Sequence, residues 1–234
     1  MTIDETSAQS SAHPYRNAFE PFTPGGDKLR APYHGQARMQ LTLPGGLAHG
    51  RIAIDPAAQD LIAIRCGDDL QPRLRVAVGE ITLSCHVSFG DWLRGAVRPC
   101  DRDVVIVLHP AVEWTLAIRD GLAHCELDLS AGTVARIDIH GGCSDVWFEL
   151  PRLEVAVPIR IAGGASRFVV RRPAEVGVAL AVSGGMSALR LDDQRFGAIG
   201  GPARLETRNV APGAALYDLQ INGGATDLSI ERAA

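Results

Sequence analysis

The chain has 234 residues and a net charge of −4, from 23 basic and 27 acidic side chains mixed along it, with 46% hydrophobic and 21% charged residues. That balance allows one sizeable core, excludes wholesale disorder, and lacks the basic stripe a nucleic-acid surface needs. No apolar run reaches the roughly 18 residues of a membrane helix, and "MTIDETSAQSSAHPYRNAF" has neither the basic start nor the apolar segment of a secretory leader, so a cytoplasmic protein without nucleic-acid or membrane partners is expected.

Residues 1–36 carry Ser, Pro, Gly and charge without apolar periodicity and read as a disordered tail that becomes an extended strap, with Phe19, Phe22 and Tyr33 as its anchors. From Arg38 onward short β-branched runs follow one another, "ARMQLTLP", "GRIAIDP", "LIAIRC", "RLRVAV", "EITLSCHV", "DVVIVLHP" and "EWTLAI", each closed by Gly, Pro or Asp. No segment shows helical spacing beyond a turn or two. Residues 37–113 are therefore expected to be a β region that continues or caps whatever follows.

A repeat governs residues 114–234. Double glycines begin at 141, 163, 184 and 223, in steps of 22, 21 and 39, the last close to two ordinary steps, and Gly121 marks a degenerate earlier member. Each unit is an alternating strand, two glycines, a variable residue, Ser or Thr, and a second alternating strand. A fixed period of this size makes each unit one supersecondary element that buries its apolar edge against its neighbours. Ile139, Ile161, Val182 and Ile221 precede the corner, Phe148, Val170, Leu191 and Ile230 follow it, and both sets are expected inside. Ser144, Ser166, Ser187 and Thr226 should form a hydroxyl ladder. The fold class is thus all-β, a single-stranded parallel β-helix or solenoid with stacked Gly-Gly corners and a non-repetitive β cap at its N-terminal side. A calcium β-roll does not fit: its glycine repeat has a period of nine, and two of the four corners here lack an acid.

The stretches "WTLAIRDGLAHCELDL", "IDIHGGCSDVWFELP", "VPIRIAGGASRFVVRRP", "ALAVSGGMSALRLDD" and "YDLQINGGATDLSI" resemble rungs of the bacterial toastrack-like putative-adhesin domains, β-helical modules related to the C-terminal domains of cell-wall-active-antibiotic response proteins. The resemblance covers about residues 114–234 and implies a fold; the matching positions are turn glycines and core residues, so it implies no catalytic residue. Family members often accompany membrane segments in envelope sensing, which this sequence does not supply.

Chemistry-bearing patterns are sparse. The five cysteines form no CxxC pair: Cys125 alternates in phase with Leu127 and Leu129 as a core residue, and Cys100 lies between Arg98 and Arg102 in a polar stretch. The seven histidines include no HxH or HxxxH pair, so neither a metal nor a cofactor is expected. Alternation places His124 with Glu126 and Asp128, and Arg136 with Asp138 and His140, on outer faces. It also turns Trp147 outward beside Val169 of the next unit and Arg190 beyond it, an interface candidate. The non-repetitive region offers His86, Asp91 and His34 as candidate acid–base groups and Tyr33, Trp92 and Trp114 as candidate ligand-binding aromatics. The leading expectation is a soluble, non-catalytic binding or assembly module, with a homo-oligomer or an apolar small molecule as partner. The alternative is a cofactor-independent cyclase or isomerase acting on an apolar metabolite in a pocket of the N-terminal half.

Overall fold

The computed structural model describes residues 29–67, 70–87, 103–207 and 214–233, with His86 and Val87 described by backbone alone. Among these residues the chain forms only strands: β1 (Leu29–Pro32), β2 (Arg38–Leu43), β3 (Leu47–Ile54), β4 (Asp60–Cys66), β5 (Leu70–Ala77), β6 (Glu80–Val87), β7 (Val104–Leu108), β8 (Glu113–Ile118), β9 (Leu122–Asp128) and β10 (Thr133–Ile139). They continue as β11 (Cys143–Glu149), β12 (Val157–Ile161), β13 (Ala165–Arg172), β14 (Gly177–Val182), β15 (Met186–Leu191), β16 (Gln194–Phe196), β17 (Ala203–Glu206), β18 (Leu216–Ile221) and β19 (Ala225–Arg232).

The strands make two mostly parallel sheets. Sheet A runs β1-β4-β7-β3-β9-β11-β13-β19-β15-β16, and sheet B runs β17-β14-β18-β12-β10-β8-β2-β6-β5. Each repeat is a rung, one strand in sheet B, a glycine corner, and one strand in sheet A. Inside, sequence-equivalent residues stack rung on rung: Leu41, Leu116, Ile137, Ile159, Leu219 and Leu180 in sheet B face Ile52, Leu127, Phe148, Val170, Ile230 and Leu191 in sheet A. All are essentially solvent-free, and full burial of a side chain of this kind contributes about 1.5–3 kcal/mol.

Two features depart from a simple stack of successive repeats. First, β18 and β19 insert between the rung β12/β13 and the rung β14/β15, so the last repeat in sequence is not the last in space. The 39-residue step between glycine pairs hides no missing rung in its described part. Instead it holds β16 and β17, short antiparallel strands on the outermost rung. Second, β2/β3 is a full rung with its own corner at Gly45–Gly46, pairing in parallel with β8 and β9 on one side and with β6 and β7 on the other. Residues 38–54 and 113–128 therefore share both sheets and one core. Leu29–Pro32, the end of the expected strap, pairs antiparallel with β4.

The corners show why glycine recurs. Among the paired glycines of the repeats only Gly46 has positive φ, at 65°. Close approach is the cause elsewhere: a Cβ on Gly141 would lie 2.6 Å from the backbone of Asp120 and Gly121, and one on Gly223 would lie 2.6 Å from Gly164 N. The left-handed turn falls later, on non-glycine residues. His49, His124, Asp145, Arg167, Asp227 and Ala188 have φ between 47° and 61° and occupy the same place in successive strands of sheet A. Each is skipped by the ladder, as where Ser144 pairs with Ala123 and Val146 with Cys125. This left-handed residue, stacked from strand to strand, carries each chain segment past one position and returns the apolar alternation to the interior.

Candidate functional surface

The left-handed column brings together His49, His124, Asp145 and Arg167. The imidazoles of His49 and His124 stack with centroids 4.7 Å apart and planes 12° from parallel. His124 Nδ1 lies 3.6 Å from Asp145 Oδ2. Arg167 grips the nearly solvent-free Asp145 carboxylate with both Nε and Nη2, the latter donating at 2.5 Å to Oδ2, and Ser144 Oγ donates to Oδ2 at 3.1 Å. Those Arg167 bonds, opposed by burial and aided by Ser144 and the charge of His124, hold the Asp145 carboxyl below its ordinary pKa. The carboxylate is committed to Arg167 and so ties two rungs together. Alongside runs the hydroxyl ladder, with Ser166 Oγ donating to Ser144 Oγ at 3.3 Å and Ser187 Oγ to Thr226 Oγ1 at 3.4 Å.

A second buried ionic group closes the far end. Arg172, fully buried, donates through Nη2 to both oxygens of Asp192 at 2.8 and 2.6 Å, while Arg232 approaches the same carboxylate at 3.3 Å. Burial lowers the Arg172 pKa, and Asp192 acts against that shift. The cluster joins the ends of β13, β19 and β15.

The outer face of sheet A holds Trp147. Its row runs Arg51, Glu126, Trp147, Val169, Ser229, Arg190, and the adjacent row runs Asp128, Glu149, Arg171, Glu231. Val169 is the neighbour expected from alternation, but the intercalated β19 puts Ser229 where Arg190 was expected. Val169 is buried and Trp147 half-buried, because the Arg171 guanidinium sits 4.7 Å over the indole and Trp147 Nε1 points to Glu149 Oε2 at 3.5 Å. Arg51 reaches Glu126 at 3.6 Å and Asp128 at 3.1 Å. The face is an aromatic residue fixed in a lattice of paired charges.

Of the residues singled out in the N-terminal half, Tyr33 and Trp114 both meet His109. Tyr33 stacks on His109 at 3.8 Å and 16°. Trp114 is fully buried with Nε1 donating to the His109 carbonyl at 3.0 Å, so its ring is part of the core. His34 is exposed, its backbone N–H donating to Gln36 Oε1 at 2.8 Å. His86 pairs with Gln71 in the β5–β6 ladder; Asp91 and Trp92 lie outside the described residues, as does Cys100. A cavity of about 270 Å³ in this half is lined, among the described residues, by Leu43, Gly45, Leu47, Leu83, Cys85 and Ile106. Cys125 and Cys143 are core thiols whose pKa burial pushes up to about 12. No group of three His, Cys, Asp or Glu gathers for a metal among the described residues, and no helix among them is long and apolar enough to cross a membrane. Neither the left-handed column nor the Arg172 cluster was foreseen. The available signal was the recurrence of His and Asp, which tolerate that conformation, at one position of the repeat.

No family model matches the chain, and no curated protein matches it. Among solved structures, a protein described as a "putative cell adhesion protein" from Clostridium sporogenes ATCC 15579 is similar, with a TM-score of 0.61 and 14% identity over 88% of this chain and 97% of that one. At this identity the similarity concerns the fold alone.

Proposed function

We propose that this chain is a soluble, cytoplasmic, non-catalytic binding and assembly module. Its walls form one flattened β-helix, in which residues 37–113 continue the stack of residues 114–234. Trp147, which with the buried Val169 lies on the outer face of sheet A, meets a partner, a second copy of the chain. The observation that carries this reading is the Trp147 row: an aromatic group amid aligned charges of both signs, on a face whose strands are fixed from within by a filled apolar interior. Mixed charge suits a self-complementary contact, because a two-fold interface can set basic groups of one copy against acidic groups of the other. Described cysteines that form no disulfide fit a reducing compartment. The fold shared with a protein described as adhesive supports binding over catalysis.

Sedimentation velocity over a concentration series tests the reading. Wild-type protein is expected to self-associate, and Trp147→Ser to weaken association about tenfold or more, in line with loss of a central aromatic anchor. A monomer at every concentration, or an oligomer indifferent to Trp147→Ser, would remove this face from the account.

A further inference from the structure

The edges of the two sheets are unequal. Sheet A ends in strands of four and three residues, β1 and β16, and sheet B ends in the four-residue β17 at one side. At its other side sheet B ends in β5, eight residues long, paired with β6 and with no other strand among the described residues. Short edges are a common protection against unwanted pairing, and this edge is long. It also carries exposed apolar side chains: Val76 is 49% exposed and Val78, in the hairpin turn, is fully exposed, which makes them two of the three exposed large hydrophobic residues among those described.

The order of residues along β5 sets what can pair with it. Pro72 has no N–H to give to β6, so in a regular antiparallel ladder it takes a position whose backbone faces away. Alternation then turns the N–H and C=O of Leu74 and Val76 to the open side as well. Side chains alternate with the same period. Leu74 packs partly on the core and Val76 stands beside it, while Arg73 and Arg75 project on the outer face, exposed and without an ion pair to any described residue. Two-fold pairing of a second copy centred on Leu74 or on Arg75 sets arginine opposite arginine, which is destabilising. Pairing centred on Val76 sets Arg75 opposite Ala77 and brings no carboxylate to either arginine, whereas an acidic segment supplies one in each case.

The geometry points to β5 as a docking edge for an extended, amphipathic acidic segment of a partner protein, which adds a strand along Arg73–Ala77 with carboxylates facing Arg73 and Arg75 and apolar residues covering Val76. This rests on the reading of the chain as a binding module and supplies the chemistry of one of its partners.

The test uses the full chain and a labelled Val-Glu-Val-Glu-Val peptide followed by fluorescence anisotropy, with amide hydrogen exchange as a second readout. Saturable binding is expected, weakened about tenfold by Arg73→Glu/Arg75→Glu, which instead takes the Val-Lys-Val-Lys-Val peptide. Val76→Pro, which removes an outward N–H, should weaken binding too, and the bound wild type should show slowed exchange at the Leu74 and Val76 amides. Absence of saturable binding, equal binding by the charge-reversed variant, or protection confined to other strands overturns the proposal. So does a dimer abolished by Val76→Pro, which assigns the edge to a second copy. Sedimentation of the same samples separates the two levels: lost peptide binding with Trp147-dependent association intact refutes the edge alone, and loss of both refutes the binding module itself.

Discussion

Gly163→Ala should be strongly destabilising for a reason that involves no φ preference. Its Cβ would lie 2.8 Å from Gly142 N and 2.9 Å from the carbonyl carbon and oxygen of Gly141, where ordinary contact begins at 3.4 Å. All three atoms are backbone, so relief requires the rungs to part by about 0.6 Å. The hydrogen bonds across this corner, Gly163 N–H to Gly141 O and Gly223 N–H to Gly163 O, are each 3.0 Å, and that displacement stretches one beyond useful length. Overpacking at about 1–3 kcal/mol and one lost backbone bond at about 0.5–1.5 give a cost of about 1.5–4.5 kcal/mol. For a chain of this size that lowers Tm by about 5–15 °C. Gly200→Ala is the control, since a Cβ there meets nothing within 4 Å, and it shares the same unfolded-state stabilisation. Gly164→Ala, whose nearest contact is a single carbonyl oxygen at 3.0 Å, should fall between the two. Thermal and urea unfolding of the three variants give the order; Gly163→Ala as stable as Gly200→Ala would refute the close-approach explanation of the corner.

Asp145→Asn keeps a residue that tolerates the left-handed conformation but removes the charge gripped by Arg167. Because the folded pKa of Asp145 is depressed, its contribution is complete above the ordinary value of 3.8 and fades as pH falls through the lower folded value. The variant should be less stable than wild type by about 1 kcal/mol at pH 7, a modest figure because Arg167 is more than half exposed. Urea midpoints should converge below pH 4, and a gap independent of pH contradicts the assignment. Asp192→Asn should cost about 3 kcal/mol or more by leaving the buried Arg172 guanidinium without its carboxylate, and adding Arg172→Met should recover much of that loss. Additive destabilisation in the double variant, measured by urea unfolding, would show that the two side chains do not act as a pair.

The interior was legible in the sequence because alternation around a glycine pair fixes which residues face inward. Ile139, Ile161, Ile221 and Val182 do align across sheet B, and Phe148, Val170, Ile230 and Leu191 across sheet A. The order of rungs was not legible for the same reason: repeats with interchangeable interior patterns stack equally well in any order, and the connections decide. The rung β2/β3 escaped notice because Gly45–Gly46 lies outside the period and Gly50 stands where the later corners have an apolar residue. The left-handed column was hidden by the absence of glycine: His49, His124, Asp145 and Asp227 are of types that tolerate the conformation, but Arg167 and Ala188 adopt it without that local signal. Trp147 illustrates both sides. Its outward direction followed from alternation, whereas the Arg171 stacked on it depended on side-chain reach between β11 and β13.

Acrylamide quenching of tryptophan emission in a Trp92→Phe background is the most direct test of recognition on the outer face of sheet A. Trp114 is fully buried and Trp147 half-buried, so the quenchable emission belongs to Trp147. Self-assembly through this face predicts that quenching falls as protein concentration rises, and that Arg171→Ala, which uncovers the indole, raises it in the monomer. Quenching that stays constant with concentration and drops only when an apolar metabolite is added would contradict an assembly role for this face and favour a small-molecule site.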